Sequence, residues 1–203
     1  MRRTRLARTA VALTGVLAGA LAVVAGPTTA AQAADECTTR TTTKAFASFG
    51  DTNDYFPIGG GTFESGELSS FTVTGGVSVA GENEPWKVLG SSHTRSAALP
   101  AGATLKATFC VQVGEDSMRL FTKSPSNAGS ALSIKTTVST AYGSASTSSS
   151  MSASSSAWSP TARIPLTNVS GPDGKQYVTL LVTNTGSGTW LVDDILVDPW
   201  RTA

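Results

Sequence analysis

The run Tyr177-Val178-Thr179-Leu180-Leu181-Val182-Thr183, a turn over Asn184–Gly188, and then Thr189-Trp190-Leu191-Val192-Asp193-Asp194-Ile195-Leu196-Val197-Asp198 decide the fold. Both runs are rich in β-branched and aromatic residues, and polar turn residues join them, so they read as two long strands. The second strand carries adjacent aspartates. Side chains alternate faces along a strand, so one of the pair must point to the covered side, where an unpaired carboxylate costs several kcal/mol. A cation or a hydrogen-bond network would remove that cost.

Upstream, the same period continues. Thr104-Leu105-Lys106-Ala107-Thr108-Phe109-Cys110-Val111 alternates in polarity, and Met118–Thr122 and Leu132–Val138 follow it. Phe71–Thr74, Gly75-Gly76 and Val77–Ala80 carry a hairpin signature, with the glycine pair supplying positive φ. Ala45–Phe49, ended by Gly50-Asp51, reads as β, and Trp86–Leu89 and Ser96–Leu99 read as short strands. No window past residue 33 has a helical period. Strands recurring at short intervals, with turn chemistry between them, predict an all-β, antiparallel β-sandwich or barrel. Residues 143–157 are dominated by Ser and Ala. They read as a hairpin of small residues or as a linker, the hairpin being favoured because the strands beyond it need partners.

At the other end, Arg2, Arg3, Arg5 and Arg8 precede an apolar run from Ala10 to Ala25, a break at Gly26-Pro27, and Ala31-Gln32-Ala33. This is the pattern of a secretory signal peptide, residues 1–33, cut after Ala33. The run is shorter than the roughly 20 apolar residues of a spanning helix. The expected location is therefore secreted and extracellular, with no membrane association after cleavage. The leader holds four of the 15 basic residues and none of the 14 acidic ones, which leaves the remainder at −3. A net negative chain without a basic cluster argues against nucleic acid. Residues 34–44 are polar and Thr-rich and read as an N-terminal tether; residues 45–203 read as a single β-sandwich domain.

Cys37 and Cys110 are the only cysteines, and in an exported chain they most simply pair. Closing a loop of about 74 residues contributes roughly 4 kcal/mol as an upper figure. A catalytic thiol is the alternative, and His93, the only histidine, would have to serve it.

Two segments resemble the jelly-roll carbohydrate-binding modules of the galactose-binding type. One is Gly59-Gly60-Gly61-Thr62-Phe63-Glu64-Ser65-Gly66 with Phe71-Thr72-Val73-Thr74 after it; the other is the closing Trp190–Ile195 with its Asp193-Asp194 pair. Ser92-His93-Thr94-Arg95-Ser96 stands where such modules have a His-Ser-Gly turn, here without the glycine. The chain is also similar to a group of secreted actinobacterial proteins that has no activity to lend. That likeness rests on Cys37, Phe49-Gly50-Asp51, Tyr55, the Gly59–Gly66 run, Glu84–Val88, Leu99–Gly102, Cys110-Val111, Trp158-Ser159-Pro160 and Val192–Pro199. The resemblance implies a galactose-binding-like jelly roll. It also implies a structural calcium held by Glu64 and by Asp194, or by Asp193 if the pleat is reversed. The alternative is that these acids sit in turns or accept backbone hydrogen bonds.

Sugar binding needs exposed aromatic faces beside polar groups. The candidate ligand-binding residues are Tyr55, Trp86, Tyr142 and Trp158; Trp86 and Trp190 also fit a core role, and Trp200 could cover an edge. Enzyme signals are poor. No Gly-x-Ser-x-Gly elbow is present, and Glu82 and Glu84, two apart in a Gly-Glu-Asn-Glu-Pro turn, read as solvated. The expectation is a non-catalytic binding protein whose partner is an extracellular polysaccharide. The alternative is a structural or protein-interaction role at the cell surface or matrix, and a hydrolase with an unrecognised site comes third.

Overall fold

The computed structural model describes residues 37, 40–125, 129–153, 155–169, 171 and 174–199. The leader with its cut after Ala33, and Trp200, lie outside the described residues.

Among the described residues, twelve strands form two antiparallel sheets in a β-sandwich of jelly-roll type. The five-stranded sheet runs β2 (Thr72–Thr74), β5 (Thr104–Gln112), β11 (Lys175–Asn184), β7 (Ala131–Thr140) and β8 (Gly143–Ser152). The seven-stranded sheet runs β10 (Ile164–Pro165), β6 (Ser117–Lys123), β12 (Trp190–Asp198), β4 (Ser96–Leu99) and β3 (Ser78–Ala80); β1 (Phe56–Pro57) adds to β12, and β9 (Trp158–Pro160) adds to β6. The two C-terminal strands part company, β11 to the centre of one sheet and β12 to the centre of the other.

Alternation builds the core. Leu105, Ala107, Phe109 and Val111 of β5, Val178, Leu180 and Val182 of β11, and Leu132, Ile134 and Val138 of β7 point inward. They meet Met118 and Leu120 of β6 and Trp190, Val192, Ile195 and Val197 of β12. Trp190 is buried, and its indole N–H donates to Ser130 Oγ at 2.7 Å, so the core reading of Trp190 holds. The outward residues of the five-stranded sheet are mostly Ser, Thr and Lys, with Tyr177 and Leu181 of β11 and Cys110 of β5 among them. At Cys110, Cys37 closes the expected disulfide and ties the N-terminal segment to the outer face.

A second, smaller cluster lies on the outer face of the seven-stranded sheet. Phe121 of β6 and Leu196 of β12 are covered by Ala45, Phe46 and Tyr55, with Phe49, Val88, Leu89 and Trp158 packed around them. Residues Ala47–Phe49 form a 3₁₀ turn, not the strand their alternation suggested. The reason is spacing: one tight turn brings Phe46 and Phe49 to the same side, and both rings reach Phe121, at 5.2 and 5.8 Å between centroids.

The Gly75-Gly76 hairpin is also corrected. β2 pairs β5 in one sheet and β3 pairs β4 in the other, so the glycines carry the chain between sheets. Gly75 has φ of +73° and passes so close that a Cβ would lie 2.7 Å from Ala103 Cα. Residues 143–152 are a strand rather than a linker, but a single one, paired with β7 along its whole length. The N-terminal tether, expected to be fixed through Cys37 alone, has further ties at Arg40 and Thr43. Arg40 ion-pairs with Glu115 at 2.9 Å and stacks on Phe56, and Thr43 bridges Tyr55.

Candidate functional site

β12 pairs with β6 along one edge. Along its other edge, β4 takes Trp190–Val192 and β1 takes Leu196-Val197. The stretch Asp193–Ile195 between them has no strand partner on that side, and its register against β6 shifts there as a β-bulge. Asp194 takes φ of +42°, which resets the alternation, so both aspartates are buried instead of one.

Two loops fill the gap. From one, Ile58 donates to Ile195 O and Gly61 O accepts from Ile195 N–H, at 3.0 and 3.1 Å. Gly61 is needed for this approach, since a Cβ would meet Ile195 O at 3.1 Å and the Ile58 side chain at 2.9 Å. The same loop presents Glu64, whose Oε1 accepts the amides of Thr94 and Arg95 at 2.9 and 2.7 Å. From the other loop, Glu84 donates its amide to Asp193 Oδ2 at 3.1 Å. The Glu84 carboxylate accepts from Trp86 N–H at 2.6 Å and Val88 N–H at 2.7 Å.

Glu84 was expected in solvent; it is fully buried. Its carboxylate fixes the turn at 84–88, which is why Trp86–Leu89 is not a strand. Lys87, with φ of +50°, is held in the left-handed region there, a strain that the surrounding bonds over-determine.

The two aspartates differ. Asp193 accepts from the Glu84 amide and from the Asp194 amide. Both oxygens of Asp194 are buried with no hydrogen-bond partner. Asn83 Oδ1 and Ser96 Oγ, on residues adjoining the gap, are orphaned too. Burial pushes the Asp193 carboxyl up to about 9, with the neighbouring Asp194 next in weight. Burial likewise pushes Asp194 up to about 8, with Glu84 and Glu64 repelling its charge.

Among the described residues, no three His, Cys, Asp or Glu side chains gather as a metal cluster. The acids here offer only oxygen donors, and Asp194 has two carboxylate oxygens without a hydrogen bond, near enough to Glu64 to feel its charge. That fits a hard cation whose shell is completed by backbone carbonyls. Of the two aspartates, Asp194 is the one whose oxygens no hydrogen bond uses.

The four candidate aromatics part ways. Tyr55 is corrected: it is fully buried, ring-to-edge with Phe46, and its hydroxyl donates to Asp51 at 2.7 Å, so neither ring face can meet a ligand. Tyr142 is 73% exposed at the β7–β8 turn, far from the other candidates in the sheet order. Trp86 and Trp158 both pack on the outer cluster of the seven-stranded sheet, Trp86 against Phe121 itself. Trp86 is 41% exposed, with one edge against Phe49 and a tilted contact to Phe121. Trp158 pairs with Lys123 across β9 and β6, and its indole N–H donates to Glu82 Oε1 at 2.9 Å. Glu82 also pairs with Lys123, and that bond holds its carboxyl below the ordinary range.

Sequence reasoning missed Phe49 and Lys123 as neighbours of the tryptophans, because Phe49 reaches Trp86 through the 3₁₀ turn and Lys123 reaches Trp158 through the pairing of β9 with β6. It also missed Tyr177, half-exposed on the outer face of β11. His93 packs its ring over Gly90, with Nδ1 buried and unpartnered.

No family model matches the chain, and no curated protein matches it. Solved structures do resemble it. The module TmCBM61, in complex with beta-1,4-galactotriose, aligns with a TM-score of 0.45 at 18% identity, covering 71% of this chain and 97% of its own. Family 16 Carbohydrate Binding Module-2 aligns at 0.44 and 15%, covering 69% and 97%. The enzymatically active domain of bacteriophage CBA120 tailspike protein 4 aligns at 0.50 and 11%, covering 70% of this chain and 21% of its own. At such identities the likeness is one of fold.

Proposed function

We propose that this protein is an exported, non-catalytic glycan-binding protein whose site is the ledge of Trp86, Trp158 and Phe49, edged by Glu82 and Lys123. The observation that supports this reading is that two tryptophans distant in sequence pack on one outer cluster, Trp86 against Phe121 and Trp158 against the cluster that holds Phe121, with the Glu82–Lys123 pair bonded beside Trp158. The C–H face of a sugar stacks on indole, and its hydroxyls donate to the Glu82 carboxylate and accept from Lys123.

The acids at the bulge serve the ledge from beneath. Asp193 anchors the Glu84 amide, and the Glu84 carboxylate anchors the amide of Trp86, so the ring's position is set through buried bonds. In the same proposal a structural calcium takes Asp194 and Glu64 as side-chain ligands. When bound it supplies the positive charge that the buried Asp194 otherwise lacks.

Affinity electrophoresis through gels containing single polysaccharides, with β-1,4-galactan among them, tests the reading. Retardation by at least one glycan is expected. It should weaken in Trp86→Ala and Trp158→Ala and persist in Tyr142→Ala. Truncating one stacked ring costs about tenfold in affinity or more. A protein that no glycan retards, or retardation indifferent to both tryptophans, would overturn the proposal.

A further inference from the structure

We infer that β8 is a self-association edge through which two copies of this chain join their five-stranded sheets. A sheet edge presents a row of unpaired N–H and C=O groups, and native proteins blunt such edges with short strands, proline, charge or bulges. The other sheet ends here follow that rule. β2 and β3 have three residues each, β9 has three and includes Pro160, and β10 has two and includes Pro165. β8 breaks it. It has ten residues, Gly143-Ser-Ala-Ser-Thr-Ser-Ser-Ser-Met-Ser152, with no proline and no charge. It pairs with β7 at ten consecutive positions without a register shift, so no bulge turns it aside.

The strand's own sequence selects a second copy as the occupant. Run antiparallel about Ser148, it places Ser148 against Ser148 and Ser146 against Ser150 on the exposed face. On the inner face it places Ala145 against Met151, small against large, beside the core that Met151 already touches. No like charges meet. The nearest candidates are the two copies of Lys135, the β7 partner of Ser148. They would stand three strand spacings apart, about 14 Å, which is beyond the Debye length at physiological salt. The inference is independent of glycan binding, because β8 and the ledge lie in different sheets.

Sedimentation velocity on the exported chain, from low to high micromolar concentration, reads the outcome. The wild type should pass from the mass of one chain to that of two. Ser146→Lys/Ser150→Lys sets lysine against lysine across the two-fold and should stay at one chain throughout. Ser146→Lys/Ser150→Glu sets lysine against glutamate and should restore the doubled mass. Both variants alter the same two exposed positions, so equal melting temperatures and circular dichroism separate association from folding. A wild type that stays at one chain overturns the inference, even if the edge accepts a strand from another protein. So does a doubled mass that the lysine pair leaves intact, or a lysine–glutamate variant no better than the lysine pair.

Discussion

Replacing Asp194 by asparagine should make the cation-free protein more stable at neutral pH and indifferent to calcium. Asparagine has nearly the same shape and tolerates the left-handed backbone at φ +42°, so the bulge survives the change. What changes is charge. Burial lifts the Asp194 carboxyl from 3.8 to about 8. An acid lifted on folding contributes its full stability below its unfolded value and loses it as pH climbs toward the folded value. Without a cation, wild-type stability should therefore decline from about pH 4 to about pH 8. By pH 7 the chain has crossed about three pH units at roughly 1.4 kcal/mol each, on the order of 4 kcal/mol. Asp193, lifted to about 9 mainly by burial, declines with the same sign. Asp51 and Glu82 are held below the ordinary carboxylate range. Their contributions are complete by about pH 5 and do not mask the window.

Urea unfolding in chelator at pH 4, 5.5, 7 and 8 measures this. Asp194→Asn should match the wild type at pH 4 and exceed it by a few kcal/mol at pH 7. Added calcium should raise the wild type at pH 7 by mass action and leave the variant where it was. A chelated wild type whose stability is flat or rises across the window would refute the reasoning. A variant less stable than the wild type at pH 7 in chelator would do the same.

Three further outcomes follow from the packing. Replacing Cys37 and Cys110 together by serine should lower stability by up to about 4 kcal/mol, read from denaturant midpoints, because the loop they close is long. Leu180→Ala, at the fully buried centre of β11, should cost about 2–5 kcal/mol in the same assay. Glu84→Gln should cost about 2–3 kcal/mol, expose the amides of Trp86 and Val88 to hydrogen exchange, and weaken glycan retardation although residue 84 is buried.

The long strands were legible because their alternation is set by a core on one side. β5, β7 and β11 carry that signal in Leu105–Val111, Leu132–Val138 and Val178–Val182. Where one residue pattern has two geometric solutions, the sequence was ambiguous. Gly75-Gly76 suits a hairpin and a crossing between sheets equally, and only the competing partners β4 and β5 decide. Ala45–Phe49 reads as a strand by its alternation of large and small residues, but Phe46 and Phe49 also sit three apart, the spacing a 3₁₀ turn uses to cap Phe121. Trp86–Leu89 looks like a strand until a buried carboxylate takes its amides. The strain of two aspartates in an apolar strand was visible, but a bulge that buries both was not, since it arises from the gap between β4 and β1. Tyr55 and Glu84 were misjudged for the same reason: their burial depends on segments that fold over the outer face of the seven-stranded sheet.

The ledge itself is tested most directly by the indole N–H resonances. Trp86 and Trp158 border the proposed site, while Trp190 is sealed in the core and bonded to Ser130. Titration with a glycan that retards the protein should shift the Trp86 and Trp158 indole signals together and leave Trp190 in place. Saturable binding that moves neither of the first two would contradict the account.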